Sequence, residues 1–388
     1  MSSFTLWLLL FVAIATGWLL GRISARYGRR PEIDDEATLR ERLQFLFTNY
    51  SDEAIESFVE TLAVSRDTVN LHLSIGAHFR NKGEVDRATL IHQNLLARPE
   101  LPNRYSSQVT YELAMDYLAA GLLDRAESLL HELMGSRDYG RKAAQQLIEL
   151  YQQERDWERA TQVAVTLVEA EPSPSRRKQL AYLLCERAEQ DLARDDRFAA
   201  RNRLTQALDY DPTCIKASLM LADMHHHEGR PKEARALLLS VFDQKAVFAP
   251  EAIRRLMQYA GEQGSEAALA RKLRKLYYSY PSTSLLLSIV DLERRLKGDG
   301  PAIDLLQQEL SSRPSLRGLL RLIEIHGTEQ NGSGTRDRLV RRVGEMLLQN
   351  KPVYQCTRCG FSGQQLHWLC PSCKTWESVE PVQGVDGE

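Results

Sequence analysis

Four cysteines near the end of the 388-residue chain have the spacing of a metal-binding site. Cys356 and Cys359 form one Cys-x2-Cys pair. Ten residues later, Cys370 and Cys373 form a second pair. Two such pairs supply four thiolates in a tetrahedral arrangement, which suits a zinc ion or an iron ion. Because four cysteines fill the coordination shell, no position remains for a water or a substrate, and the pattern favours a structural site over a hydrolytic one.

The same cysteines allow two other interpretations, namely two disulfides or four free thiols. A secreted disulfide scaffold is shorter and richer in cysteine than this chain, which has 6 in total, so the metal site is favoured. His367 lies between the two pairs but is not needed as a ligand, because four thiolates complete the shell. Cys185 and Cys214 stand alone in the sequence and are expected to pack as small apolar residues.

The segment that carries the site, residues 353–388, is too short to fold on a core of its own. Domains of about 40 residues or fewer usually depend on a metal, on disulfides or on a partner surface. We therefore expect a bound ion to supply much of the folding free energy of this segment. We also expect the segment to dock against the last repeats of the array that precedes it.

That array is visible as a recurring alanine. Gly83, Gly121 and Gly229 lie five positions before an alanine of the series, and aromatic residues lie nine positions before it in several units. A 34-residue unit with an aromatic residue, a turn glycine, a small residue and a terminal proline resembles the tetratricopeptide repeat, a pair of antiparallel helices. The pattern predicts about eight repeats over residues 35–348. The alanines are Ala54, Ala88, Ala126, Ala160, Ala200, Ala234, Ala268 and Ala302, at spacings of 34, 38, 34, 40, 34, 34 and 34 residues.

Such an array is a binding scaffold, because stacked repeats present an extended concave surface. No glycine-rich phosphate loop, nucleophile elbow or HExxH motif occurs in the sequence, so no enzymatic activity is predicted. Three consecutive histidines at 225–227 would point about 100° apart on a helix and cannot converge on one ion. We predict that first-helix residues line the concave surface, namely Tyr111, Met115, Tyr182, Glu189, Asp223, His226 and His227.

The N-terminus predicts a membrane anchor. Residues 1–21 contain no charged side chain, and as a helix the run from Phe4 to Gly21 would rise about 27 Å, close to the hydrocarbon thickness of a bilayer. A signal peptide and a buried core helix are the alternatives, but the basic residues follow the apolar run instead of preceding it. Residues 22–34 form a basic linker, which places the following chain in the cytoplasm and the N-terminus in the periplasm.

Composition bounds the remaining classes of function. The chain is 43% hydrophobic and 26% charged, which is typical of a folded protein and not of a disordered one. Its formal net charge of -2 gives no basic excess, which argues against nucleic acid as a partner.

Over its whole length the sequence resembles the lipopolysaccharide assembly protein B family of Gram-negative bacteria. The resemblance rests on the apolar start, the repeat register, the motifs YQCTRCGF and LHWLCPSCKTW, and Pro381. It implies a rubredoxin-like domain in which one ion, iron or zinc, is bound by Cys356, Cys359, Cys370 and Cys373.

The resemblance also implies a non-catalytic adaptor in the inner membrane that restrains lipopolysaccharide synthesis. The adaptor would present the UDP-acyl-N-acetylglucosamine deacetylase of lipid A synthesis to a membrane-bound AAA+ metalloprotease, alongside other inner-membrane lipopolysaccharide assembly proteins. An iron-dependent redox protein and a general scaffold or chaperone for envelope assembly are the alternative functions.

The predicted fold is all-α: a tetratricopeptide-repeat solenoid with one N-terminal transmembrane helix and a small C-terminal rubredoxin-like or zinc-ribbon metal domain. The predicted boundaries are 1–21 for the anchor, 22–34 for the basic linker, 35–348 for the array and 353–388 for the metal domain.

Overall fold

The computed structural model describes most of the chain that follows residue 50. Within the described part, no helix has both the length and the apolar character that crossing a bilayer requires. The predicted anchor and linker, residues 1–34, and the predicted start of the array up to residue 50 lie outside the described residues. The chain divides into two compact units, Met1–Leu147 and Ile148–Glu388. The described ranges are 51–62, 64–263, 266–329, 335–349 and 351–388.

In the first unit, consecutive helices pack against their neighbours along the chain. The helices are α1 (Asp52–Thr61), α2 (Arg66–Lys82), α3 (Val85–Leu96), α4 (Asn103–Ala119), α5 (Leu123–Leu133) and the first part of α6 (Gly140–Glu154). Ile55 of α1, Phe79 of α2 and Ile91 of α3 belong to one buried apolar cluster. Each amphipathic helix therefore buries its apolar stripe against the next helix, as a repeat array requires.

The second unit continues the array and ends in a small sheet. Its helices are α7 (Trp157–Ala170), α8 (Pro174–Ala193), α9 (Arg197–Tyr210), α10 (Ile215–His227), α11 (Pro231–Lys245), α12 (Ala249–Gln263), α13 (Glu266–Ser279), α14 (Thr283–Lys297), α15 (Asp299–Ser312), α16 (Leu316–Glu329) and α17 (Thr335–Gln349), with a 3-10 turn at Ala246–Phe248. The described chain is thus mostly helical.

The last described segment, the predicted metal domain, adds a small sheet to a fold that is predicted as all-α. Its strands are β1 (Tyr354–Cys356), β2 (Ser362–Gly363) and β3 (Val379–Pro381), and they form an antiparallel sheet in the order β2-β1-β3. Strands of two or three residues carry no readable alternation of apolar and polar side chains, so the sequence pattern does not reveal them. The cysteine spacing predicts only the two turns that carry the cysteine pairs, and not the strands next to them.

The buried position of each repeat is the fourth residue of its second helix. Six of the recurring alanines take this position and are fully buried, whereas Ala54 and Ala268 are exposed. In those two units the fourth residue is Ile55 or Leu269, and both side chains are buried. The predicted alanine register is therefore wrong by one residue in these units, because a shift of one position turns a side chain by about 100° around the helix. The six buried alanines are Ala88, Ala126, Ala160, Ala200, Ala234 and Ala302.

The turn between the two helices of a repeat uses the left-handed backbone region. Gly83, Gly121 and Gly229 have φ values of 85°, 73° and 72°. The same position is held by Arg155 with φ 57° and by Asp195 with φ 60° in two other repeats. Glycine adopts this conformation without the steric cost that a side chain brings, so these two repeats carry backbone strain that the others avoid.

Asp195→Gly should stabilise the protein by about 1 kcal/mol, because it removes the strain of a left-handed non-glycine residue. The ion pair that it removes, with Arg197 at 3.3 Å, is exposed and contributes little. Urea unfolding of the two proteins measures the difference. Asp196→Ala is the matched control, because it removes the same charge from the next residue.

The control should have the opposite effect. Asp196 caps α9, and its Oδ1 accepts a hydrogen bond from the amide of Ala199 at 2.9 Å. Loss of this cap costs about 1 kcal/mol. Equal destabilisation by both changes would contradict the strain at Asp195.

Candidate metal centre and the surface that holds it

The four cysteines predicted to bind metal lie together in the folded chain. Their Sγ atoms are all within 4.8 Å of one another. Across the two pairs, Sγ of Cys356 lies 3.7 Å from Sγ of Cys373, and Sγ of Cys359 lies 3.7 Å from Sγ of Cys370. A tetrahedral ion with metal–sulfur bonds of about 2.3 Å sets its sulfurs about 3.8 Å apart. The donor set therefore fits one ion of this kind, either zinc or iron.

Two similar turns bring the thiols together. In the first, the amide of Gly360 donates to the carbonyl of Cys356 at 3.0 Å, and Gly360 has φ 77°. In the second, the amide of Lys374 donates to the carbonyl of Cys370 at 3.0 Å, and Lys374 has φ 52°. Each turn thus closes through a left-handed residue directly after its second cysteine. From the sequence, the left-handed residue can be recognised only at Gly360, because glycine favours this conformation and lysine does not.

The surroundings of the thiols differ. Burial alone would raise the pKa of Cys356, but a hydrogen bond with the Ser378 hydroxyl and hydrogen bonds from the amides of Cys359 and Arg358 lower it to about 6. The Cys356 Sγ and Ser378 Oγ atoms are 3.3 Å apart. Burial raises the pKa of Cys370 to about 11. Amides and hydroxyls near sulfur are the usual outer support of a thiolate site, so Cys356 is prepared to hold charge.

Two tryptophans of the metal domain insert into the helical array of the second unit. The indole of Trp376 donates to Oε1 of Gln152 at 2.9 Å and stacks on the ring of Tyr182, with centroids 5.3 Å apart. Trp368 contacts the rings of Tyr182 and Phe248, at centroid distances of 6.0 and 5.4 Å. Aromatic pairs at such distances stabilise an interface beyond the area that they bury. These rings form the centre of the docking surface.

Charged groups surround the tryptophans. The carboxylate of Glu377 is buried and accepts a hydrogen bond from the Tyr182 hydroxyl at 2.7 Å. It also pairs with Lys178 at 2.8 Å and Lys245 at 3.2 Å. Lys245 also pairs with Glu380 at 2.6 Å. Burial lowers the pKa of Lys245, but the carboxylates of Glu380 and Glu377 raise it by more, so that the pKa is raised overall. Because a buried carboxylate is strongly destabilising when it loses its partners, the docked position requires these three contacts.

Contacts at the C-terminal end extend the docking surface along the array. The Glu388 carboxylate accepts hydrogen bonds from the amide and hydroxyl of Ser284, at 2.9 and 2.5 Å, and from Arg317 at 2.7 Å. The Tyr354 hydroxyl donates to Glu251 at 2.5 Å. The metal domain therefore touches helices from α6 to α16, so the expectation that it docks against the last repeats is too narrow.

The structure also corrects one residue of the predicted concave surface. Tyr182 is fully buried under the tryptophans of the metal domain, so it binds a segment of its own chain and not a partner. Sequence reasoning missed Trp368, Trp376 and Glu377 as docking residues. The sequence does carry one indication of this docking, since it has two tryptophans in a segment too small to bury them by itself.

The other predicted surface residues are divided between the two units. In the second unit, Glu189 pairs with Lys216 at 3.0 Å, Asp223 accepts hydrogen bonds from Arg255 and Tyr259, and the His226 ring stacks on Tyr259. His227 is exposed.

In the first unit, Tyr111 and Met115 are half-buried on α4. The Tyr111 ring lies 5.4 Å from that of Tyr139, and the ammonium of Lys142 lies 4.9 Å from the Tyr139 ring. Tyrosine is enriched at protein interfaces relative to the rest of the surface, so the two tyrosines of this cluster suit a contact with a protein.

Comparison with known proteins agrees with this architecture. A family model described as "Rubredoxin metal binding domain" matches residues 354–381. A second model, described as "Tetratricopeptide repeat", matches residues 192–272. The two matches coincide with the segment that holds the cysteines and with the middle of the second unit.

Relatives match almost the entire length. Lipopolysaccharide assembly protein B of Escherichia coli (strain K12) is 32% identical over 390 residues, which cover 98% of this chain and 99% of that protein. Lipopolysaccharide assembly protein B of Haemophilus influenzae is 30% identical over 397 residues and 98% of each chain. The solved structure of MamA AMB-1 covers 45% of this chain and 89% of its own, at 21% identity and a TM-score of 0.31, which is too low to indicate the fold of the whole chain.

Proposed function

The chain belongs to the lipopolysaccharide assembly protein B family, and from this premise we propose that it is a non-catalytic adaptor of the bacterial inner membrane. The shared name of its relatives supports a role in lipopolysaccharide assembly. In this proposal it presents the UDP-acyl-N-acetylglucosamine deacetylase to a membrane-bound AAA+ metalloprotease. Proteolysis of the deacetylase then limits lipid A synthesis.

The observation that carries the proposal is the combination of a helical-repeat array with a full-length match to this family. Repeat arrays bind peptides and proteins on extended surfaces, which is what an adaptor must do. The cluster of Tyr111, Tyr139 and Lys142 in the first unit offers such a surface, and we assign it to a protein partner.

The buried His92–Asp116 pair of the array has a structural role, which is consistent with a non-catalytic adaptor. His92 and Asp116 form a hydrogen bond of 2.5 Å, and such a pair could suggest acid–base chemistry. Both side chains are fully buried, however, and Asp116 also binds Arg80 at 2.7 Å. A substrate cannot reach them, so the pair connects helices α2, α3 and α4.

In this proposal the metal domain is structural. Cys356, Cys359, Cys370 and Cys373 would hold one zinc or iron ion, and the ion would supply folding free energy to the segment. The chain's own residues then do the rest: Trp376 and Glu377 fasten the folded domain to the array. A closed four-sulfur shell suits this role, because a structural ion needs no open coordination position.

Residues 1–21 are proposed as a single-pass anchor, with residues 22–34 as a basic linker and the remaining chain in the cytoplasm. The support is the uncharged apolar run followed by arginines, which is the pattern of the positive-inside rule. Confining an adaptor and its protease to one membrane plane raises their effective concentration. The anchor is therefore part of the proposed mechanism.

Deleting residues 1–21 should abolish control of the deacetylase although the array still folds. Loss of the tether lowers the effective concentration of the protease by about 100-fold or more. Immunoblotting measures the deacetylase level in cells at normal expression, and circular dichroism of the purified protein checks the array. Replacing residues 1–21 with an unrelated single-pass helix of the same orientation is the matched control and should restore regulation.

Two outcomes would reject parts of this proposal. Regulation by the deleted form at normal expression would remove tethering from the mechanism. Affinity purification from membranes should enrich one protease and few other proteins, whereas broad capture of envelope proteins would indicate a general scaffold.

A further inference from the structure

The last helix of the array, α17, exposes an apolar stripe. Leu339, Val340, Val343 and Leu347 are 61%, 42%, 48% and 55% exposed. At 100° per residue these four side chains fall within about 100° of the helix circumference, so they form one continuous face about 12 Å long. The helix is held to the array by a different face, where Gly344 lies so close to Leu320 that an added Cβ would approach it to 2.5 Å.

This stripe is unusual at the end of a repeat array. Terminal repeats normally carry a polar outer face, because nothing follows to cover an apolar one. Within the described residues, the four apolar side chains remain largely open to solvent. A continuous apolar face of this kind marks an interaction site more often than a scattered surface leucine does.

Arginines run beside the stripe. Arg338 and Arg342 are one helical turn apart and follow one edge of it. Arg341 is also exposed and pairs with Glu345 at 2.8 Å. From Arg338 to Leu347 the helix carries three basic side chains and one acidic one, so the surface beside the stripe is positively charged.

We propose that α17 lies on an anionic lipid surface, with its apolar stripe in the interface and its arginines at the phosphates. Interfacial helices have this composition: an apolar face, a polar face rich in arginine or lysine, and low overall hydrophobicity. Juxtamembrane basic residues are attracted to the anionic cytoplasmic leaflet by about 1 kcal/mol each. The partner is therefore a lipid headgroup layer and its acyl boundary.

A second copy of the chain fits this surface less well. A stripe about 12 Å long buries far less than the roughly 800 Å² per partner of a stable interface. A two-fold pair would also bring Arg338 and Arg342 of one copy near the same arginines of the other, and like charges repel.

This inference rests on the proposed membrane attachment, because α17 alone is a weak binding element. A single myristoyl chain gives only marginal, reversible membrane binding, and stable anchoring by such weak elements takes two signals. We apply the same reasoning to one short amphipathic helix. The proposed anchor at residues 1–21 would be the first signal and α17 the second. The helix would then orient the array on the membrane.

Hydrogen exchange of the full-length chain in lipid nanodiscs tests the inference. With phosphatidylglycerol nanodiscs, the α17 amides from 338 to 349 should exchange about tenfold more slowly than in phosphatidylcholine nanodiscs, because exchange then requires release from the bilayer. The triple variant Leu339→Gln, Val343→Gln, Leu347→Gln should lose this protection, and Arg338→Gln with Arg342→Gln should reduce it. Phe198→Gln is the matched control, because Phe198 is 74% exposed on another helix.

The outcomes separate this inference from the proposed function. A chain that does not enter nanodiscs at all contradicts the anchor. A chain that enters them but shows equal α17 exchange in both lipids contradicts the lipid contact. Protection that rises with protein concentration in lipid-free detergent would also overturn it, since a second copy would then be the occupant.

Discussion

A Cys370→Ser variant should lose its metal ion and the fold of residues 353–388, while the helical array keeps its circular dichroism. The segment has almost no core of its own apart from the ligands, because its buried cluster consists of Tyr354, Cys356, Cys370 and Val379, and two of these are proposed ligands. A structural zinc ion contributes about 10–16 kcal/mol to the folding of a small domain, so its loss is the largest single change expected here. Metal analysis and limited proteolysis of the purified protein measure the two effects.

Cys185→Ser is the matched control for this experiment. Cys185 is fully buried in α8, with its Sγ 3.8 Å from that of Cys214, and it is not one of the four proposed ligands. This variant should keep its full metal content even if its stability falls. A Cys370→Ser protein that retained one equivalent of metal and resisted protease would contradict the four-cysteine site.

The same purified protein can be loaded with zinc or with iron to test what the ion does. If the ion only supports the fold, zinc-loaded protein should control deacetylase turnover as well as iron-loaded protein does. Regulation that follows the iron content would overturn the structural role and favour the redox alternative.

Trp376→Ala should release the metal domain from the array while the metal stays bound. The side chain is only 9% exposed, and truncation of a buried tryptophan costs about 3–5 kcal/mol. It also leaves Oε1 of Gln152 without its indole donor. Hydrogen exchange of residues 354–381 measures release of the domain, and metal analysis shows whether the ion remains.

Two further variants make this result specific. Trp376→Phe keeps an aromatic ring against Tyr182 but removes the indole N–H, so about 1–3 kcal/mol should be lost and the domain should stay docked. Phe198→Ala removes an exposed ring and should change stability by less than about 0.5 kcal/mol. Unchanged hydrogen exchange in Trp376→Ala would mean that the charged contacts alone hold the domain.

Local patterns explain which parts of this structure the sequence predicts. The helical array follows from a period of about 34 residues, because each repeat is defined by contacts between neighbouring segments. The thiol cluster follows from Cys-x2-Cys spacing for the same reason. Where the small residue is replaced, as at Leu269, the periodic signal slips to the nearby alanine and the predicted register is wrong by one position.

Long-range contacts explain the rest. Nothing near Tyr182 distinguishes it from an aromatic residue that faces a partner, and its burial depends on Trp376, which lies 194 positions later in the chain. The predicted docking surface, the last repeats, covers too few helices. A single sequence does not show which distant parts of the chain have complementary surfaces. Complementary shape and charge, as at Glu377 with Lys178 and Lys245, appear only after both surfaces have formed.

The contact between Trp376 and Gln152 also joins two segments that are synthesised at different times. These residues are 224 positions apart, whereas the helices of the array pack against their neighbours. At about 5–20 residues per second of synthesis, the chain around Gln152 waits roughly 11–45 seconds before Trp376 is made. Until residues 368 and 376 are made, the rings of Tyr182 and Phe248 have no tryptophan to pack against, and transiently exposed apolar surface makes a folding chain prone to aggregate. If the proposed ion supplies the folding free energy of residues 353–388, metal binding and docking follow synthesis of the array, and a chain that ends before residue 354 should leave the rings of Tyr182 and Phe248 uncovered.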